Sequence, residues 1–461
     1  MKNVSQSALR ELRKVVSGSV ITPAEEGYDE ARRLFNAMID RRPALFVRCQ
    51  KPDDVAAAIR FARSEELPLA IRGGGHSVAG MSLVDGGVVV DLRAMKDLSV
   101  DPSSRTIRIG GGCLWGEVDR AAQAHGMATT GGRNSVTGVA GLVLGGGSGW
   151  LERRYGLACD NLVSVELVTA DGSRVRASAG ENSELFWGLH GAGGNFGVAT
   201  AIELELHPMG PEVLAGLLLY EPDRGREMLT AWRDVIQTGP EELGGAFVYL
   251  TAPDDPAVPA DHRGKLVSCI VVCWSGDPDR GAEVIAPFLK LKPIANFVQK
   301  TTYVDFQCSI DDPPGFRNYW TAEYLNQLSA EAVDTIIAHS MKLSLGPAQS
   351  FTVPWGGAVA RVPEGATPLS KRDAAFVVHP FALWADAADD QRNIGWARAF
   401  AADVRRLGSG GTYLNWIGNE GEERIRAAYG AAKYARLQSI KAEYDPDNVF
   451  RANQNIRPAS G

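Results

Sequence analysis

Cysteine is scarce in this chain of 461 residues, and the six present (Cys49, Cys113, Cys159, Cys269, Cys273 and Cys308) are scattered. Only Cys269 and Cys273 are near neighbours. Their spacing falls inside the apolar run Leu266-Val267-Ser268-Cys269-Ile270-Val271-Val272-Cys273-Trp274, where thiols serve as small buried hydrophobes. Neither a disulfide framework nor a metal site is expected. No stretch approaches the length of a membrane-spanning helix. The amino-terminal residues 1–16 read as a polar helix with Leu9, Leu12 and Val16 on one face and no apolar core of signal-peptide kind. A cytoplasmic protein with no membrane partner is therefore expected. An excess of positive charge is also missing: 48 Lys and Arg stand against 55 Asp and Glu, for a net charge of -7. That field attracts neither nucleic acid nor an anionic surface.

Two nucleotide-binding signatures are absent as well. No G-x-x-x-x-G-K-[ST] occurs, and no cluster completes G-x-G-x-x-G. Counted from Gly191, the sixth position is Phe196, and glycine arrives one residue late at Gly197. Residues 161–206 read as strand, turn at Asp171-Gly172, strand, helix and strand, which is not the rhythm of a doubly wound sheet.

Glycine is what the chain has in excess, with 51 residues gathered largely in the first 200. That is about 11% against a usual figure near 7%. The turn Arg72-Gly73-Gly74-Gly75-His76-Ser77 follows the apolar run Leu67-Pro68-Leu69-Ala70-Ile71, so a strand ends in a flexible backbone able to cradle a diphosphate. Gly110-Gly111-Gly112 repeats the pattern of strand, glycines and helix. The densest cluster runs from Gly138 through Gly141 to Gly145-Gly146-Gly147-Ser148-Gly149-Trp150. A packed helix tolerates such a composition badly, at about 1 kcal/mol per glycine. A fourth cluster is Gly191-Ala192-Gly193-Gly194-Asn195-Phe196-Gly197-Val198. Four glycine sites before residue 200 suit a long ligand lying extended across a domain.

Helical spacing at Val55, Ile59 and Phe61 or Ala62 predicts a helix over 53–64, capped by Asp53 or Asp54. Strands are expected at 44–49, 88–92, 106–109, 246–250 and 266–274, and helices near 114–121, 280–289, 330–342 and 389–407. The middle third thus reads as an antiparallel sheet backed by helices.

Residues 44–208 resemble the flavin-binding domain of the vanillyl-alcohol oxidase superfamily, and specifically the berberine bridge enzyme-like FAD-linked oxidases. The resemblance continues at the carboxy terminus, through Tyr413-Leu414-Asn415, Glu420, Tyr429-Gly430, Arg436-Leu437, Lys441 and the run from Tyr444-Asp445-Pro446 to Asn455-Ile456. It implies an α+β fold with a two-part FAD-binding domain, residues 1–208 and a returning segment 411–461, around a substrate-binding domain, residues 209–410.

The resemblance further implies FAD attached through His76, with Arg72, Gly73, Gly74, Gly75, Ser77 and Gly80 around the diphosphate. Gly138, Gly141, Gly145, Gly146, Gly147 and Gly149 would complete the cradle, with Gly197, Val198, Asn453 and Asn455 also at the cofactor. Some relatives attach the flavin a second time through a cysteine; that position is Asn134 here, which implies a single link. Tyr413 is the candidate catalytic base, its pKa lowered by a neighbouring positive field, and Asn415 sits close to the flavin. Tyr249, Tyr319, Trp355 and His379 are candidate substrate contacts. The segment 349–357 carries no carboxylate, and Val78 and Leu142 make the sector near the ring apolar. The expected reaction is hydride transfer from an alcohol or amine carbon of a small hydrophobic or aromatic molecule, with dioxygen as acceptor. An oxidative cyclase, dehydrogenase or flavin-dependent oxygenase, and a non-catalytic flavin-binding protein, are the alternatives.

Overall fold

Three consecutive valines, Val88-Val89-Val90, are buried on both faces of the strand Val88–Asp91. They can be, because that strand lies between two parallel neighbours, Leu45–Arg48 and Leu69–Arg72. In this computed structural model, which describes residues 4–459, a fourth strand, Ser19–Ile21, closes the sheet. The helix Pro52–Ser64 makes the crossover between parallel strands and packs Val55, Ile59 and Ala62 against Val47 and Val90. Its cap differs from expectation. Lys51 is the capping residue with Pro52 in the first turn, while Asp54 turns back to accept from Ser17 N at 2.8 Å and Gln50 N at 2.9 Å. The opening helix runs Gln6–Val15, capped by Ser5; residues 1–3 of the expected helix lie outside the described residues.

A second, antiparallel sheet of five strands follows the order Leu98–Asp101, Thr106–Gly110, Val198–Glu205, Leu162–Val168, Arg174–Ser178. Its apolar face packs on the helix Trp115–Gln123 and on the carboxy-terminal helices Glu422–Tyr429 and Ala431–Tyr444, through Trp115, Ile202, Leu437 and Ile456. The returning segment is anchored by a fully buried ion pair. Lys441 Nζ donates to Asp445 at 2.6 Å and to the carbonyls of Asn195 and Phe450.

The third sheet has nine strands and is antiparallel throughout. One face carries the helices Gly225–Thr238, Ala330–Ser340 and Asp390–Arg405, with Trp232, Ile336 and Phe400 against Phe247, Ile270 and Phe376. The opposite face sets Val248, Val271 and Val377 against Trp150, Leu151 and Leu157. This sheet therefore roofs the glycine-rich segment. Among the described residues no helix is long and apolar enough to cross a membrane.

One buried carboxyl gives stability a pH dependence. Asp119, in the helix Trp115–Gln123, is 4% exposed and its Oδ2 has no partner. Burial, with Asp311 nearby, pushes its pKa up to about 8. The neutral carboxyl is favoured in the folded state, so its contribution is fully present below the ordinary carboxylate value of about 4 and is lost as pH rises through about 8. Asp119→Asn is expected to flatten the fall in melting temperature between pH 5 and pH 9; an unchanged slope would contradict this.

Candidate active site

The glycine turn after strand Leu69–Arg72 meets the third glycine cluster backbone to backbone. A Cβ on Gly74 would stand 2.4 Å from Gly138 N, and one on Gly138 would stand 2.3 Å from Gly74 N. Neither position has room for a side chain. Gly75 adopts φ of +75°, which glycine reaches without strain. Beyond this junction opens a cleft of about 330 Å³, within the roughly 300–1,000 Å³ of small-molecule and cofactor pockets. Gly73 to Ser77, Gly138, Gly141, Gly145, Gly197 and Asn453 line it. At Gly141 nothing lies within 4 Å of where a Cβ would be, so bare helix backbone faces open space.

Other expected cofactor contacts stand behind the lining. Arg72 is buried and donates to Ala31 O and, at 2.6 Å, to Arg33 O, bracing the turn from outside. Gly80 packs under Ile39. Gly146 faces the Tyr413 ring and Leu369, Gly147 faces Ala158, and Gly149 abuts Gly131 O. At these glycines the side-chain direction is taken up by other chain segments. Val198 belongs to the core beneath the first sheet. Asn455 is not among the lining residues, though its buried Oδ1 has no partner.

His76 stacks on Phe35 with ring centroids 3.9 Å apart and planes at 20°. Its buried Nε2 has no hydrogen-bond partner. Burial pulls its pKa down to about 4, so the imidazole is neutral near pH 7. Asn134, Thr137, Val78 and Leu142 line the same cleft.

The roof brings in Tyr413, Asn415 and His379. The Tyr413 hydroxyl accepts from Gly147 N at 2.6 Å, Ser148 N at 3.0 Å and Asn415 Nδ2 at 3.2 Å. Burial raises its pKa above 10 despite these donors. The expected lowering, and with it a ready phenolate base, is not found. Asn415 also donates to Leu142 O and fills the space over Gly145. His379 stacks on Trp416 at 4.6 Å and its Nδ1 bonds Thr321 O at 2.8 Å; burial pulls its pKa down to about 3.

Three expected substrate contacts do not reach the cleft. Tyr249 points to the helix-covered face of the sheet and donates to Pro222 O at 2.7 Å. Tyr319 points outward, its hydroxyl accepting from Arg398 at 3.1 Å. Trp355 stands behind Tyr413, edge-on at 5.8 Å. Successive strand residues alternate faces, so Trp320, next to Tyr319, is the one in the cleft, together with Phe351 and Phe381.

Sequence reasoning also missed Phe35, Arg133 and Asp312. Arg133 lies between the rings of Trp150 and Trp416, at 4.9 and 5.4 Å, and pairs with Glu152 at 2.7 Å. Asp312 lines the cleft beside Asn134. No spacing marks these residues, because their partners are remote in sequence; the pair Pro313-Pro314 marks only the loop that holds Asp312.

Known proteins resemble this chain in sequence and in fold. The family described as FAD binding domain matches residues 43–178, and the family described as berberine and berberine like matches residues 412–457. The chain is 31% identical over 464 residues to (R)-6-hydroxynicotine oxidase of Paenarthrobacter nicotinovorans, covering 96% of this chain and 97% of that protein. An FAD-dependent monooxygenase of Cochliobolus heterostrophus is 39% identical over 447 residues, covering 89% of this chain and 83% of that one. The crystal structure of 6-hydroxy-D-nicotine oxidase from Arthrobacter nicotinovorans superimposes with a TM-score of 0.86 at 29% identity, over 96% of this chain and 98% of that one. With both ends of the flavin fold matched and the likeness running almost the whole length, the chain belongs to the berberine bridge enzyme-like FAD-linked oxidoreductases.

Proposed function

We propose that the protein is an oxidase that takes hydride from an alcohol or amine carbon of a small hydrophobic or aromatic molecule, with FAD held covalently through His76. The observation that carries this reading is the unpartnered, neutral His76 imidazole beside a cleft whose floor is glycine backbone. The residues fit FAD: the cleft is lined from the glycine turn at Gly73 across Gly138 and Gly145 to Asn453, and Gly141 leaves bare backbone to be covered. The buried Oδ1 atoms of Asn453 and Asn455 lack partners. Bound there, FAD supplies the hydride acceptor at N5 and passes electrons to dioxygen. Residues 1–208 and 411–461 would hold it, and residues 209–410 would shape the substrate side.

The chain's own groups then divide the work. Gly73 to Gly75 and Gly138 hold the diphosphate, and His76 fixes the ring. Tyr413, whose oxygen already accepts hydrogen bonds, has its proton left to donate, so it orients a substrate heteroatom rather than removing a proton. Asn415 keeps the Tyr413 hydroxyl in place. Tyr413→Phe strands the Gly147 and Ser148 N–H groups in a buried site and is expected to cost about 1–3 kcal/mol of stability, read by urea unfolding. A purely catalytic role would leave stability unchanged.

The test of function is peroxide release in air from a panel of aromatic amines and alcohols, with bleaching of the flavin spectrum when oxygen is removed. No bleaching by any of them would contradict the reading. Oxygenation is a second reading, favoured by the 39% identity to a relative named as a monooxygenase. Labelled dioxygen separates the two, since only an oxygenase places the label in the organic product.

A further inference from the structure

The charges that line the cleft do not balance. Among the described residues lining it, Arg133 is the one guanidinium or ammonium group, and Asp312 is the one carboxylate. Arg133 is already neutralised by Glu152. His76 and His379 are both neutral near pH 7, their pKa values pulled down by burial, and burial keeps Tyr413 protonated. Asp311, next to Asp312, is satisfied by the amide and hydroxyl of Ser135. Asp312 has only Gln349 Nε2, at a long 3.4 Å, and the nearby carboxamide of Asn134, whose buried Nδ2 has no partner. No cation of the described residues lies within ion-pairing distance of it.

Trp320, Phe351 and Phe381 line the same cleft as this carboxylate. Gln349 is opposite Phe381 in the sheet, and Phe381 is opposite Trp320. Trp320 and Phe381 stack at 4.5 Å, and Phe351 meets Phe381 edge to face at 5.8 Å. Gln349 and Phe351 are two residues apart on one strand and so share a face. A cleft that combines a carboxylate with Trp and Phe rings is an environment for an organic cation, which gains from both.

We propose that Asp312 is the specificity-determining residue of the substrate side and that it receives the ammonium group of an aromatic or arylalkyl amine. This deepens the proposed function and rests on it, choosing amine over alcohol. Burial and the nearby Asp311 push the Asp312 pKa up to about 7, and an arriving cation favours its ionised form. The same carboxylate can then take the ammonium proton, the N–H bond breaking as the carboxyl O–H forms, leaving the amine neutral.

The test is calorimetric binding of N-methylbenzylamine and of benzyl alcohol to the flavin-loaded protein and to its Asp312→Asn and Asp312→Glu variants. The amine is expected to bind the parent at least about tenfold more tightly than the alcohol. Asp312→Asn should erase that preference without changing alcohol affinity or flavin content, and Asp312→Glu should restore part of it. Equal binding of both probes by the parent, binding of neither, or an unchanged preference in Asp312→Asn would overturn the assignment. A parent protein lacking flavin would contradict the proposed function instead, and the two probes would still report on Asp312.

Discussion

Replacing His76 with alanine yields a folded protein whose yellow colour passes into the supernatant on acid precipitation, whereas the parent keeps all of its colour in the pellet. The substitution removes the one imidazole of the cleft that has a buried nitrogen without a partner. It also removes the stack on Phe35, worth about 0.5–1.5 kcal/mol, so the fold survives. The remaining cradle, Gly73 to Gly75 against Gly138, is untouched and still binds FAD reversibly. Turnover should fall by about tenfold, equivalent to about 1.4 kcal/mol, because the link to nitrogen withdraws electrons from the ring and favours its reduced form. Colour staying in the pellet of the variant would place the attachment elsewhere.

Two glycines three residues apart should respond in opposite directions. Gly138→Ala drives a Cβ to 2.3 Å from Gly74 N and 2.9 Å from Gly74 Cα, so the halves of the cradle must part. Overpacking of this kind costs about 1–3 kcal/mol, and flavin content should drop with it. Gly141→Ala meets nothing within 4 Å and lies inside the helix Val139–Leu144. There alanine should stabilise the flavin-free protein by up to about 1 kcal/mol, yet block the surface that the cofactor covers. The pair separates fold from ligand: thermal unfolding reads one and absorbance per chain reads the other. Normal flavin content in Gly141→Ala would show that the cofactor lies away from this helix.

The glycine turns and His76 were legible in the sequence because each imposes a local requirement. A strand followed by three glycines and a histidine leaves few conformations, and Gly74 and Gly138 are forced by their mutual contact. The roof was legible as an antiparallel sheet, but its phase was not. Both faces are apolar, one under helices and one over the flavin fold, so alternation could not tell Tyr249 from Val248 or Tyr319 from Trp320. Several cradle glycines are also required by packing, as Gly149 is against Gly131 O; composition does not distinguish that use from a ligand contact. Asp312 was invisible because its meaning comes from Gln349 and Asn134, which only folding brings near.

Whether this cleft holds FAD through His76 is decided by mass spectrometry of the denatured, digested parent protein. The expected result is the mass of one FAD on the peptide containing His76, with the Asn134 peptide unmodified. An unmodified His76 peptide, with flavin either free or on another residue, would contradict it.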